Sequence, residues 1–258
     1  MIDWTQVTLL LYIVARMSGF VLFNPILGRR NIPSIFRAGL VLVLSVCVLS
    51  TAGQGAVAVP ATTTELVMRL LLELALGFLL GMVVNFFFYI PQLAGEVIDT
   101  QMGITMAQIY DASSQASMTV TGSLLNILLM LDFFAENGHY TLMRLLLTSG
   151  ELVPYGEAAL GEAAALRAVE LFAACMVLAV KLAMPILAAE LLGEVGMGIL
   201  MKAIPQINAF VINIELKVII GLLLLFVFLV PTNEFLLQLE SDMLGELGQM
   251  LEALRGPG

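Results

Sequence analysis

The residue best suited to acid–base chemistry is the single histidine, His139, in the run Glu136-Asn137-Gly138-His139. An imidazole titrates near neutral pH and can exchange a proton with a nearby carboxylate. A His139–Glu136 pair is therefore one reading, and a hydrogen bond that finishes a turn beside Gly138 is the simpler one. Cys47 and Cys175 each stand in an apolar run with no neighbouring Cys or His. They read as small core hydrophobes rather than as a metal or redox pair. The sequence has no glycine-rich phosphate loop, no HExxH and no GxSxG. No residue is assigned a catalytic, cofactor-binding or metal-binding role, and no enzymatic activity or cofactor is expected.

What remains is a scatter of charges inside apolar stretches: Arg16, Arg69, Glu73, Asp132, Lys181, Glu190, Glu215 and Lys217. A charge at mid-bilayer costs at least about 2.5–3.5 kcal/mol, so such residues normally face protein or a water-filled space. Two chemistries fit. One is structural pairing, as for Arg69 and Glu73, which lie four apart on one helix face. The other is proton or cation coupling in a secondary transporter, with Glu73, Glu96, Asp99 and Lys181 as buried coupling residues. Transporters commonly carry paired internal repeats, and none is evident in this chain.

These residues need elements to carry them, and the composition says which kind. Of 258 residues 60% are hydrophobic and 12% charged, with a mean hydropathy of +1.01. Soluble domains carry about 25% charged residues, so the chain belongs in a membrane or buried in an assembly. The net charge of -9 and the lack of a basic cluster argue against nucleic acid as a partner. No linker-like composition break divides the sequence, which predicts one domain over 1–258. The N-terminus opens with Asp3 and carries Arg16 in its apolar stretch, unlike a cleaved signal peptide.

Six apolar stretches are predicted: Val7–Leu27, Ile35–Ser50, Leu66–Ile90, Val120–Phe134, Val169–Leu192 and Phe210–Val230. Spanning the hydrocarbon takes about 20 helical residues, so the second and fourth are short. Pro91, Pro185 and Pro231 recur in or at the ends of these runs, and broken helices are tolerated only where neighbours satisfy the freed backbone groups. Gly77 and Gly81 have the small-xxx-small spacing of close helix packing, within the chain or between subunits. From Asn233 to Leu254 apolar residues recur every three or four positions, an amphipathic helix with Glu234, Glu240, Asp242, Glu246 and Glu252 away from the stripe. Its acidic face suits docking on protein better than on anionic lipid. Arg29, Arg30 and Arg37 make one connection basic, which the positive-inside rule places in the cytoplasm.

Between the third and fourth runs lies Gly95–Met118, which follows an apolar run that ends at Ile90-Pro91. It mixes Gly, Ala and Ser with Met102, Ile104, Met106, Ile109 and Met118, and holds Glu96, Asp99 and Asp111 but no Lys or Arg. Unbranched methionines adapt to irregular surfaces, and small residues allow the backbone to rearrange.

Four blocks in register resemble the FliR family, components of the bacterial flagellar type III export gate. They are R-x-x-G-F-x-x-x-N-P from Arg16 to Pro25 with R-x-I-P-x-x-x-R from Arg30 to Arg37; Ala94–Gly103 with Asp111 and the Ser/Ala-rich segment after it; Asn137-Gly138-His139; and Pro205–Phe210 with its flanks, Glu194–Lys202 and Ile214–Gly221. The related injectisome SctT family shares the architecture, and the first and last blocks look flagellar.

The resemblance implies an all-α, integral-membrane-type protein of kinked helices and helical hairpins, similar to a fusion of FliP-like and FliQ-like units and built into a larger helical assembly. It implies FliP-like and FliQ-like partner subunits, FlhB-like and FlhA-like export components, unfolded protein substrates in transit, and residence with membrane lipid in the bacterial inner membrane at the flagellar basal body. With these matches Gly95–Met102 is expected to be the end of a packed helix, and the family's channel plug corresponds to Gly103–Met118. Plug or gasket roles then fall on Met102, Gly103, Ile104, Met106, Ile109, Tyr110, Asp111, Ser113, Ser114 and Met118. Subunit packing falls on Arg16, Pro25, Arg69, Glu73, Gly77, Gly81, Glu96, Asp99, Pro205, Gln206 and Asn208.

Overall fold

The structure is a computed structural model, described here for residues 4–28, 32–51, 59–105, 119–203 and 209–254. Among these residues it is all-helical: α1 (Trp4–Phe23), α2 (Ser34–Thr51), α3 (Thr63–Met102), α4 (Val120–Ala135), α5 (Gly138–Leu152), α6 (Glu162–Ala203), α7 (Ala209–Val227) and α8 (Leu229–Ala253). Three helices are long and apolar enough to cross a membrane, Trp4–Phe23, Thr63–Met102 and Glu162–Lys202. The pair Glu215–Val227 and Leu229–Ala253, bent by 60°, makes a fourth if taken as one broken span. Ser34–Ser50 and Val120–Ala135 are the shorter apolar helices that the short sequence runs predicted. The all-α membrane-type architecture is as expected.

Contacts divide the chain into two compact units. The first comprises residues 1–87, 136–173 and 241–258; the second comprises 88–135 and 174–240. In the first, α1 packs against α2, and α2 also touches α5. The core of this unit includes Tyr12, Ile13, Met17 and Phe20 of α1, and Leu76, Leu80 and Val83 of α3. Gly19, Gly77 and Gly81 line the seam between α1 and α3. A methyl at Gly77 would overlap the Arg16 carbonyl, and one at Gly19 the Leu74 carbonyl, so the two backbones touch where side chains are absent. Of the two packing modes left open by the sequence, Gly77 and Gly81 use the one within the chain.

The second unit buries Phe88, Ile90, Ala94 and Ile98 of α3, Leu125, Leu129 and Phe133 of α4, Ala183 and Ile186 of α6, and Leu236 and Leu239 of α8. Phe88 and Phe133 meet edge to face at 6.4 Å. Outward-facing side chains are also apolar, among them Val43, Val46, Leu222, Phe226 and Val230, as suits lipid or neighbouring subunits better than water.

Helix α5, Glu240 and Cys47 depart from expectation. Helix α3 runs through Pro91 and ends at Met102, where the sequence reading places the end of a packed helix. A proline removes one ladder bond, and in α3 the turns beyond it are held by packing of Gly95 and Asp99 on α4. Pro231, by contrast, accompanies a break: Phe228 lies between α7 and α8, and Pro231 has no N–H to offer the Val227 carbonyl one turn back. Helix α5 was not predicted, because its mixed composition gives no long apolar run. In α8 the apolar stripe is as read, with Leu236, Leu239, Met243, Leu247, Met250 and Leu251 buried, but Glu240 is buried with them rather than facing away. Cys175 is a buried core residue as expected, whereas Cys47 is exposed on α2.

Candidate functional site

In each unit one polar arrangement takes in expected site residues. In the first unit Arg16, fully buried on α1, is the hub. Its Nε donates to Glu73 Oε2 at 2.7 Å and its Nη2 to Glu73 Oε1 at 3.2 Å. Nη1 donates to Ser149 Oγ at 3.2 Å, and Nη2 also reaches the Val153 carbonyl at 2.9 Å. The guanidinium stands over the Tyr155 ring, 4.2 Å from its centroid. Burial pushes the Tyr155 phenol above its ordinary range, against the opposing pull of Arg16, so the ring is neutral. The Gly156 N–H donates to Glu73 Oε1 at 2.8 Å. One fully buried ion pair thus ties α1 and α3 to α5 and to the turn at Val153–Gly156.

This geometry corrects the proposed Arg69–Glu73 pair. Arg69 bonds instead to Glu65 at 2.7 Å and to the Gly156 carbonyl at 3.2 Å. Helix spacing lists possible partners on one face, but Glu73 faces α1. A planar fork matched to a carboxylate and freed of water is the stronger partner.

In the second unit the decisive residues flank the segment 103–118. Gln92, Gly95 and Asp99 lie at helical spacing on one face of α3, and the first turn of α4 sits on that face. A methyl at Gly95 would overlap the backbone of Gly122, and one at Gly122 would crowd the Gln92 backbone. Fully buried Asp99 accepts the Thr121 N–H on Oδ2 at 3.1 Å and the Thr121 hydroxyl on Oδ1. Thr119 Oγ1 accepts the Gly122 N–H at 3.2 Å. The unpaired donors at the start of α4 are therefore met by Thr119 and by a carboxylate from another helix, which also favours the positive end of the helix dipole. At the other end, α3 stops at Met102, followed by Gly103 at φ 81°, where a side chain would be strained. Asp99 and Thr121 thus hold the end of α3 and the start of α4 together.

The expected site residues fall out as follows. Arg16, Glu73, Arg69, Gly77 and Gly81 are brought together in the first unit, with Pro25 in the turn after α1, where Asn24 Oδ1 accepts the N–H groups of Ile26 and Leu27. Asp99, Met102 and Gly103 form the clamp's α3 side, and Ile104 follows half-buried. Met106, Ile109, Tyr110, Asp111, Ser113, Ser114 and Met118, like Pro205, Gln206 and Asn208, lie outside the described residues. Of the transporter set, Glu73 is paired with Arg16 and Asp99 with Thr121, while Glu96 and Lys181 are exposed rather than buried. His139 opens α5 with its ring 4.4 Å from that of Tyr140. Among the described residues no three of His, Cys, Asp or Glu gather as a metal would require. Thr121, Ser149, Tyr155 and Gly156 went unread; only Thr121 gave a signal, as a hydroxyl residue opening an apolar run.

Residues 7–243 match the model of bacterial export proteins, family 1. The chain belongs to the FliR family of bacterial export proteins. It is 28% identical over 250 residues to flagellar biosynthetic protein FliR of Bacillus subtilis, covering 93% of this chain and 94% of that one. To the Escherichia coli protein of the same name it is 25% identical over 239 residues, 93% and 91% of the two chains. Yop proteins translocation protein T of Yersinia pestis is 28% identical over 234 residues, 88% of each. The FliR-family match takes in Arg16, the α1–α3 glycine seam and both sides of the clamp.

Proposed function

We propose that this FliR-family chain is a non-enzymatic core subunit of the flagellar type III protein export gate in the bacterial inner membrane. It assembles with FliP-like and FliQ-like subunits, contacts FlhB-like and FlhA-like export components, and helps form the closed channel through which unfolded flagellar proteins leave the cell. In this reading the chain acts as one export domain, and residues 103–118 serve as the plug. The single observation that carries the plug role is the clamp: Asp99 on α3 and Thr121 on α4 fix both ends of a segment rich in Met, Gly, Ala and Ser. A fixed base beneath a sequence of unbranched methionines and small residues suits a closure that must fit and then release polypeptides of many sequences. The apolar exterior of α2 and α7 supports burial against lipid and partner subunits.

The Yersinia relative favours a second reading, an injectisome gate subunit of the same architecture. Complementation separates the two: restored motility in a strain lacking its flagellar FliR supports the first, and restored effector secretion alone supports the second. The assembly claim is tested by affinity purification of the tagged chain from its own membrane. Stoichiometric FliP-like and FliQ-like subunits are expected, and a stable monomer that binds a small solute would overturn the proposal.

A further inference from the structure

A different carboxylate, Glu190 on α6, is left without a partner. It is 5% exposed, and neither of its oxygens meets a hydrogen-bond donor among the described residues. It lines a small cavity with Gly193, Glu194, Met197, Lys217 and Ile220, with room for about one water molecule. Gly221 of α7 makes the space, since a methyl there would overlap Glu190 Oε1 and the Met102 side chain.

The charges around it do not cancel. Lys217 of α7 is ion-paired with Glu194, and Gln101 Nε2 of α3 donates to the other Glu194 oxygen at 3.3 Å. Among the described residues the charged groups facing Glu190 are thus Glu194 on its own helix and Lys217 on α7, while α3 offers uncharged Gln101 and Met102. One ammonium among two carboxylates leaves one negative charge over. A buried carboxylate without donors is unfavourable as an anion, and proton uptake is the ordinary way such a group is neutralised. A metal cation fits poorly, because it needs more oxygen ligands than this cavity supplies and would stand beside an ammonium.

We propose that Glu190 is an exchangeable proton-binding site. Its carboxylate takes one proton from a hydronium in the cavity, leaving a neutral carboxyl group and a water, and returns the proton by the reverse step. The site borders Met102 on the clamp's α3 side, and the proposal does not depend on the plug reading.

Infrared difference spectroscopy of the full chain in lipid nanodiscs tests this. The carbonyl stretch of a protonated carboxyl is expected at neutral pH, shifted in heavy water, fading reversibly as pH rises, and missing from Glu190→Gln. In Glu194→Gln the band should fade at lower pH, because Lys217, released from its partner, then favours ionised Glu190. Identical spectra for the parent chain and Glu190→Gln would overturn the proposal, as would a Glu190 band indifferent to pH. Should Glu190→Gln not accumulate, an unchanged pH profile in Glu194→Gln is the overturning result.

Discussion

Asp99 and Thr121, 22 positions apart in sequence, are joined twice: the Asp99 carboxylate accepts both the backbone N–H and the hydroxyl of Thr121. The pair brings the end of α3 and the start of α4 together, and so sets where the intervening segment leaves and re-enters the helices.

Asp99→Ala should therefore loosen the segment without disturbing the first unit. Hydrogen bonds to a charged group contribute roughly 1.5–3 kcal/mol. The expected result is faster limited proteolysis between α3 and α4 with α1 and α5 still protected. Thr121→Ser keeps both bonds and should behave like the parent chain, whereas Thr121→Val should fall between the two.

The Arg16–Glu73 pair is fully buried, and breaking one side of such a pair leaves an uncompensated charge, at a cost of about 3–5 kcal/mol. Arg16→Met and Glu73→Leu should each lower the thermal midpoint in detergent sharply. The double variant should recover a large part of the loss, because it leaves neither charge stranded. Equal or additive losses in the double variant would contradict this account of the hub.

At the α1–α3 seam the neighbours of Gly77 are backbone atoms that cannot step aside. Gly77→Ala should destabilise by roughly 1–3 kcal/mol, as overpacking does. Gly245, inside α8 with open space around it, should respond oppositely. Replacing a helical glycine by alanine gains up to about 1 kcal/mol. Thermal midpoints of the two variants check the contrast.

Pro231→Ala restores an N–H one turn beyond the Val227 carbonyl and should reduce the 60° bend between Glu215–Val227 and Leu229–Ala253. Spin labels at exposed Leu222 and Gln238 should move apart, which electron–electron distance measurements read directly.

Much of this architecture was legible in the residues. The apolar runs located α1, α2, α4, α6 and α7, and the three-to-four spacing located α8. The glycine pair on α3 and the charge at Arg16 marked the places where helices meet closely. What escaped was long-range pairing. Helix spacing offered Glu73 a neighbour at Arg69, but a partner 57 positions away is visible only once α1 lies against α3. Pro91 lies inside α3, and the contacts that hold the turns beyond it come from α4. Likewise the carboxylate of Asp99 announced a buried charge, and nothing in sequence announced that Thr121 would receive it.

The most direct test of the central claim replaces residues 103–118 with a short glycine–serine linker, leaving Asp99 and Thr121 in place. The assembled gate is then purified and reconstituted into planar bilayers. The account predicts an intact assembly with ion conductance well above the closed level of the parent complex. Conductance that stays at the closed level in an intact assembly would contradict it.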